Sequence, residues 1–491
     1  MSVKEVKIVT IGLLLSNTMS GLDNTIINTA LPRIVADLKG IEEVGWLVAI
    51  FLLGTAVATP IWSKIGERFG NKLAYQLSAG AFVLGAFLQG MAPTMSFLLA
   101  ARLLAGIGNG GMVSVPYIIY SDLYPNPRHR MRVLGLVSAS YSGATICGPL
   151  VGGWLVDVLS WHWVFYMNIP FGLISIILIQ LFFKEKRKER KTAKLDYLGA
   201  TLLTMAIVIL LIAIQSIGTV QWPILAGLLL TCAALLLALC HVEKTAADPM
   251  IPGRLFKNSG LIYDFTMFVL IWAAMMAFSV YAPMWAQGLL ATSAFIGGAT
   301  QIPGAMTDLC SSLAVAPLRR KLTPQQVILL SVVSLFLGYC LMALGSLHLA
   351  YGLILLAGMC QGIGNGIVFN ELQVKVQQDA QHKDVPVATS FSFLIRMIAS
   401  SVAAAWFGLI LNTQLRAGVH RDPRIHMGML NELSDAQKAR HLPQVLLPAM
   451  RGILYSGIHE IMLTSLGLIG IALILALWAR HHEKNLNVTA L

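Results

Sequence analysis

The stretch RLLAGIGNGG at residues 102–111 decides the architecture, because its centre, GIGNG at 106–110, is written a second time at 362–366. The copies begin 256 positions apart (362 − 106), and both stand inside long apolar stretches. A five-residue repeat in similar surroundings indicates that the chain contains two related halves. The two copies then occupy corresponding places in those halves.

The composition places most of the chain in lipid. Of 491 residues, 56% are hydrophobic and only 12% are charged, whereas a soluble protein carries about 25% charged residues. The mean hydropathy is +0.73. A spanning helix needs roughly 20 mostly apolar residues, and counting such stretches predicts fourteen spans. They are residues 8–29, 46–62, 73–91, 97–119, 134–155, 164–183, 197–216, 222–241, 261–285, 294–316, 326–345, 350–370, 387–411 and 456–478.

The net charge of +12 is spread in short Lys and Arg clusters between the apolar runs. This pattern follows the positive-inside rule and does not form one basic face for nucleic acid. The bases fall in alternate loops, so an even span number puts both termini in the cytoplasm, with the protein in the inner (plasma) membrane. The basic run KEKRKERK at 184–191 is interpreted as a cytoplasmic linker. The long segment 412–455 is mixed in charge and is predicted to be external.

The repeat then falls in the fourth and twelfth spans. If the seventh and eighth spans are an insertion, each copy lies in the fourth helix of a six-helix bundle. We therefore predict an all-α polytopic membrane protein with bundles at 1–183 and 261–491, joined by a linker and two inserted helices at 184–260. Parallel six-helix repeats are an established transporter layout, with the substrate site between the repeats.

Several motifs carry a more specific resemblance. LDNTIINTALP at 22–32 resembles the first-helix signature of fourteen-helix drug:proton antiporters of the major facilitator superfamily. Further stretches similar to family signatures are PIWSKIGERFGNK at 60–72, RLLAGIGNGG at 102–111, GATICGPLVGG at 143–153, WHWVFYMNIPFG at 161–172 and DYLG at 196–199. The resemblance covers the first 200 residues strongly and the second half more weakly, through its layout and the GIGNG copy. It implies the major facilitator fold and multidrug efflux by alternating access, driven by the proton gradient without a cofactor.

The antiporter motif has a physical interpretation. Gly143, Gly148, Gly152 and Gly153 stand at small-residue spacing, which lets a neighbouring helix approach closely. Pro149 removes a backbone donor and bends the helix. Plain helix packing explains these residues as well. The resemblance implies that this packing shapes the path between the halves.

The loop after the second span matches its family only in part. Arg68, Gly70 and Lys72 fit the motif, whereas Glu67 stands for the usual aspartate and Asn71 for the usual arginine. The resemblance implies a charge latch at the cytoplasmic face that breaks when the transporter changes state. The alternative is a solvated loop whose bases only set topology.

Ionisable residues within spans are costly, at roughly 2.5–3.5 kcal/mol each at the centre of an inserted helix. They are Asp23, Arg102, Asp264, Asp308, Arg396 and Glu460. With a rise of about 1.5 Å per residue, Asp23 and Arg102 come to a similar outer depth and form one candidate pair. Asp308 and Arg396 form a second. The other two lie near span ends, where an interfacial position is an equal alternative.

The resemblance gives Asp23, with Arg102, a role in proton coupling. The alternative for Asp23 is a residue hydrogen-bonded to Thr25 or Asn28. Gly358 stands at the position of Arg102 in the second copy, so only one half keeps the arginine.

No motif assigns Asp308. It could bind a cationic substrate or a proton, or neutralise Arg396. Asn109 and Asn365, one from each GIGNG copy, are expected to hydrogen-bond across helices and to belong with these two residues to the substrate site.

These patterns predict a proton-coupled exporter of lipophilic, cationic compounds. Its expected partners are a small-molecule substrate, protons and lipid, with no nucleic acid, and a monomer is expected. Two alternatives stay open, a transporter of one specific metabolite or siderophore and a non-transporting receptor or scaffold. An enzyme is not expected, since the sequence shows no metal or nucleophile constellation and no phosphate-binding loop.

Overall fold

A computed structural model describes most of the chain. The described residues are 2–185, 197–217, 220–245, 253–381 and 384–489. All regular secondary structure within them is helical. Most of the predicted linker run, the first residue of DYLG, and Lys383 lie outside the described residues.

The chain forms two compact units. The first comprises Met1–Ile34 and Leu38–Met250. Its helices are α1 (Val3–Leu38), α2 (Val44–Phe69), α3 (Asn71–Gly90), α4 (Met95–Leu123), α5 (Pro127–Val158), α6 (His162–Tyr166), α7 (Asn168–Phe182), α8 (Tyr197–Ser216) and α9 (Trp222–Thr245). Gly70 ends α2 with a φ of +108°, a conformation that glycine adopts at little cost, and this lets α3 begin at once.

The second unit comprises Val35–Asp37 and Ile251–Leu491. Its helices are α10 (Ser259–Met284), α11 (Ala294–Ala299), α12 (Ile302–Leu318), α13 (Pro324–Ala343), α14 (Tyr351–Asp379), α15 (Val385–Arg421), α16 (Met427–Leu433) and α17 (Leu447–Thr489). The start of α13 is fixed by a capping box, in which Thr323 and Gln326 each accept the other's backbone N–H.

Eleven helical stretches in the described part of the chain are long and apolar enough to cross a membrane. Three of the fourteen predicted spans are not among them. The span 8–29 lies within α1, which carries many polar side chains. The span 197–216 coincides with α8, whose apolar stretch is only Thr201–Ile214. The span 294–316 is interrupted between α11 and α12. A helix therefore stands at each predicted place, and the count of fourteen stays a proposal.

The segment 412–455 is more helical than predicted. The helix α15 continues to Arg421, and α17 begins at Leu447. Between them α16 buries Leu430 and Leu433 completely. Apolar residues at this spacing lie on one helical face, which explains why a segment interpreted as a loop folds against the unit.

The first GIGNG copy packs α4 against two helices. A side chain at Gly106 would strike the carbonyl oxygen of Phe51 on α2, and one at Gly110 would lie 2.8 Å from the oxygen of Thr55. The middle glycine, Gly108, meets the backbone of α3 instead. Glycine is required here because the backbones approach too closely for a Cβ.

The second copy does the same in its own unit. Gly362 meets the backbone of Gly304 on α12, Gly366 meets that of Asp308, and the middle glycine faces α13. Phe51 and Gly304 occupy equivalent positions in the two halves of the repeat, because Phe51 contacts Gly106 and Gly304 contacts Gly362. Asp308 follows Gly304 by four residues, as Thr55 follows Phe51, so Asp308 occupies the position of Thr55 in the repeat. The predicted correspondence of the two copies is confirmed in their packing.

This packing makes Gly362→Ala costly. The new methyl group would overlap the Gly304 carbonyl, so we expect a loss of about 1–3 kcal/mol and a lower melting temperature in detergent. Gly352→Ala on the same helix is the control, since nothing lies within 4 Å of its Cβ, and it should melt at or slightly above the wild-type temperature. Equal melting of the two variants would contradict the close approach.

Candidate functional site

Asp23 and Arg102 form a buried ion pair in the first unit. The Nη1 of Arg102 on α4 donates to Oδ2 of Asp23 on α1 at 2.9 Å. Each residue is only 1% exposed. The sequence analysis matched these two residues by depth alone, and the structure shows that their helix faces also meet. The role of the pair stays a prediction.

Three further residues complete this site, and sequence reasoning missed them. Asn168 at the start of α7 lies 3.3 Å from the second oxygen of Asp23, and Arg102 also reaches Gln89 of α3 at 3.4 Å. The guanidinium carbon of Arg102 lies 4.1 Å from the centre of the Phe51 ring. Asn168 lies within the motif at 161–172, and this motif was the sequence feature that could have identified it as a site residue. We call these five residues the α1–α4 charge site.

The electrostatics of this site depend on both groups being charged. Burial removes water from the carboxylate and the guanidinium, which costs solvation free energy. Their mutual attraction offsets this cost only while both groups are ionised and hydrogen-bonded. Among the described residues, the Nε of Arg102 has no hydrogen-bond partner, so the guanidinium is incompletely satisfied. Removing either charge would leave the other buried without its ion-pair partner, which is costly.

The antiporter motif holds α5 against α1 next to Asp23. A side chain at Gly148 would strike Thr25, and one at Gly152 would lie 2.5 Å from Ile26. Pro149 and Gly153 are buried within the same stretch. The predicted close approach is therefore present. It does not extend to the first glycine of the motif, Gly143, around which a Cβ would meet nothing within 4 Å.

The predicted latch loop is anchored by an acid that the sequence analysis did not single out. The carboxylate of Glu185, at the head of the linker, accepts the backbone N–H groups of Asn71 at 2.6 Å and Lys72 at 3.2 Å. A carboxylate suits a helix N-terminus, because the unpaired N–H groups there carry partial positive charge. The Lys72 ammonium also donates to the carbonyl of Gln180 at 2.7 Å. Gly70 leaves the space that Glu185 fills.

The charged residues of the loop itself interact locally. Glu67 lies 3.7 Å from Lys64, one turn earlier on α2, and the Glu67 side chain is exposed while that of Lys64 is partly exposed. The guanidinium of Arg68 lies 5.2 Å from the centre of the adjacent Phe69 ring. Exposed pairs of this kind contribute little to stability. The latch function of these residues stays a prediction.

Asp308 has a different partner from the one predicted. Its Oδ1 accepts the amide Nδ2–H of Asn365 at 3.0 Å, which joins α12 to α14. Asn109, at the same place in the first copy, donates to the hydroxyl of Thr55 at 3.3 Å. Both asparagines therefore hydrogen-bond across helices as predicted, and Asp308 brings a negative charge where the first unit has a neutral hydroxyl.

Arg396 on α15 lies in an aromatic box. The rings of Phe268, Trp272, Phe369 and Phe393 have their centres 4.8–5.9 Å from its guanidinium carbon. Its Nε donates to the backbone oxygen one turn earlier at 3.0 Å. The structure thus surrounds this cation with π faces, which attract it, and does not bring it together with Asp308 among the described ion pairs.

The two remaining acids differ from each other. Asp264 on α10 is fully buried and lies 3.1 Å from Lys375 of α14. The helix α14 runs nine residues past its predicted end at 370, which places Lys375 on the helix. The interfacial interpretation of Asp264 concerns depth in the membrane and stays a prediction. Glu460 on α17 is exposed, and its carboxylate accepts a hydrogen bond from the side-chain amide of Gln414 on α15.

Comparison with known proteins identifies the family of the chain. Residues 13–404 match the family model of the Major Facilitator Superfamily. The chain is 30% identical to Multidrug resistance protein 3 of Bacillus subtilis (strain 168) over 407 residues, which cover 82% of this chain and 79% of that protein. It is 26% identical to Multidrug transporter protein MdtP of the same strain, over 96% of this chain and 92% of that protein.

Solved structures share the fold. A bacterial homolog to the human lysosomal transporter Spinster, in its inward-facing and unoccupied conformation, aligns over 98% of both chains with a TM-score of 0.68 at 12% identity. That identity is low enough to speak for the fold alone. The family model, in contrast, covers well over half of the sequence. The chain therefore belongs to the Major Facilitator Superfamily, and it is a membrane transporter and not an enzyme.

Proposed function

We propose that this transporter exports lipophilic, mainly cationic compounds in exchange for protons. The observation that carries the proposal is the buried pair of Asp23 and Arg102, in which one carboxyl can exchange a proton against a fixed charge. Two Bacillus subtilis relatives with multidrug names support drug-like compounds as the substrates. Asp308 supplies a negative charge in the other unit, beside Asn365, where a cationic group would be attracted.

The proposed cycle is alternating access. A proton from outside neutralises Asp23, the attraction to Arg102 falls, and the preferred conformation changes. Substrate leaves outward, and release of the proton on the cytoplasmic side restores the pair. The proposal includes fourteen spans, both termini in the cytoplasm, the inner (plasma) membrane as location, and a monomer that needs no cofactor.

Transport by purified protein in liposomes tests the function. With the protein oriented to export into an acidic lumen, we expect a lipophilic cation such as tetraphenylphosphonium to accumulate in the lumen. Accumulation should collapse when a protonophore removes the proton gradient. An imposed membrane potential without a pH difference separates exchange for protons from passive distribution. Accumulation that ignores the pH gradient would refute proton coupling, and a response to one metabolite alone would favour a specific transporter.

A further inference from the structure

A second group of buried charges lies in the second unit. Asp264 of α10 is 0% exposed, and its Oδ1 lies 3.1 Å from the ammonium of Lys375 on α14. The same ammonium donates to Asp379, one turn further along α14, at 2.5 Å. One lysine is thus shared between two carboxyl groups. We call these three residues the α10–α14 triad.

Exposure increases in steps along the triad. The side chain of Asp264 is 0% exposed, that of Lys375 12% and that of Asp379 29%. Only the outermost carboxylate therefore meets water substantially.

The charges around the triad do not balance. One turn earlier on α14, Glu371 is 1% exposed and lies 3.3 Å from Arg319, at the end of α12. The cluster then contains three carboxyl groups, Asp264, Glu371 and Asp379, against two cations. If every group is ionised, the cluster carries a net charge of −1, and Asp264 and Glu371 are its fully buried carboxyl groups. An excess charge in a partly buried cluster is costly, and taking up one proton removes it.

Asp264 is the least compensated of the three carboxyl groups. It is fully buried and shares Lys375 with Asp379, whereas Glu371 lies beside Arg319 and Asp379 is partly solvated. Within the described residues, neither oxygen of Asp264 has a neutral hydrogen-bond donor, and Lys375 is its one ionic partner. A carboxylate normally collects such donors when it is buried.

Among the described residues, the other titratable groups on or beside α10 and on the helices packed against it do not pair with Asp264. Tyr263, beside it on α10, has a buried hydroxyl and turns its ring toward Lys375 at 5.4 Å. Lys257 and Asp384 stand at the starts of α10 and α15 and carry opposite charges. Arg480 lies near the end of α17, the remaining long helix packed on α10. None of these groups forms an ion pair with Asp264 in the described structure.

We propose that Asp264 is a proton-binding site and that Lys375 shifts toward Asp379 when the proton binds. A proton from water adds to one carboxylate oxygen of Asp264, which makes that group neutral. The Lys375 ammonium then has one carboxylate partner in place of two, and the ion pair between α10 and α14 is lost. The site would couple a proton to the packing of these two helices, independently of Asp23 in the first unit.

Infrared difference spectroscopy on the purified protein tests this site. On acidification, the wild type should show the C=O stretching band of a newly protonated carboxyl group. Asp264→Asn should lose one component of that band. Asp422→Asn is the matched control, because that aspartate is paired with Arg424 outside the spans, and it should keep the component. An unchanged acid band in Asp264→Asn would overturn the proposal.

A second variant keeps the test decisive if Asp264→Asn fails to fold. Lys375→Met removes the cation that favours the charged form of Asp264, so the proton should bind about tenfold more tightly and the component should appear at higher pH. A component that does not move, or that moves to lower pH, would contradict the role of Asp264. Both measurements need neither a gradient nor a substrate, so failure here leaves the proposed export function untouched, and failure of export leaves this site untouched.

Discussion

The double variant Asp23→Asn/Arg102→Gln should stay folded and lose proton-driven export by at least about 100-fold. Two amides of similar shape replace the two ions, so no charge is left buried without a partner. Replacing a buried ion pair by neutral groups of similar volume is often close to neutral for stability. Neither amide exchanges a proton at physiological pH, so the coupling step is removed. Gradient-driven accumulation in liposomes, measured beside a thermal melt, checks both halves of the expectation.

The single variants separate structure from coupling. Arg102→Gln leaves Asp23 as a buried carboxylate, 1% exposed, with Asn168 as its remaining polar partner. Breaking a buried pair by removing one partner costs about 3–5 kcal/mol, so this variant should melt well below the double variant. Normal gradient-driven export by the stable double variant would exclude the pair from proton coupling.

The α1–α4 charge site shows which features of a site can be predicted from the sequence and which cannot. Asp23 and Arg102 were paired from depth alone, because a helix rises a fixed distance per residue and an unpaired charge in a membrane is costly. Depth says nothing about rotation around the helix axis. The same reasoning therefore paired Asp308 with Arg396, although helix packing gives Asp308 an asparagine and Arg396 four aromatic rings.

Helix ends were the other source of error. The sequence predicts where apolar runs lie, and a helix was found at each of them. A helix does not stop where apolarity stops, since its backbone hydrogen bonds continue into water. The sequence analysis placed Lys375 in a loop. Because α14 extends to Asp379, Lys375 lies on the helix instead and is the central residue of the α10–α14 triad. The repeat was the more reliable signal, because close backbone approach admits only glycine at Gly106 and Gly362.

Asp308→Asn should weaken binding of cationic compounds by roughly 30- to 150-fold. A unit charge about 5 Å away at an effective dielectric constant near 20 contributes about 3 kcal/mol, and 2–3 kcal/mol corresponds to that range of affinity. Binding of a neutral compound of similar size should change by less than about threefold. The fold should survive, because the Asn365 amide donates to an oxygen at position 308 that asparagine also provides. Binding isotherms for one cationic and one neutral compound, beside a thermal melt, measure all three quantities.

Two further variants make this result specific. Asp308→Glu keeps the charge, so it should retain most of the cation affinity even where the longer side chain disturbs the bond to Asn365. Asn365→Ala removes the amide and leaves the carboxylate, so it should preserve the preference for cations over neutral compounds. A steric role for Asp308 predicts the opposite order, with Asp308→Asn harmless and Asp308→Glu damaging. Equal loss for both compounds, with a lowered melting temperature, would make Asp308 a structural acid that joins α12 to α14.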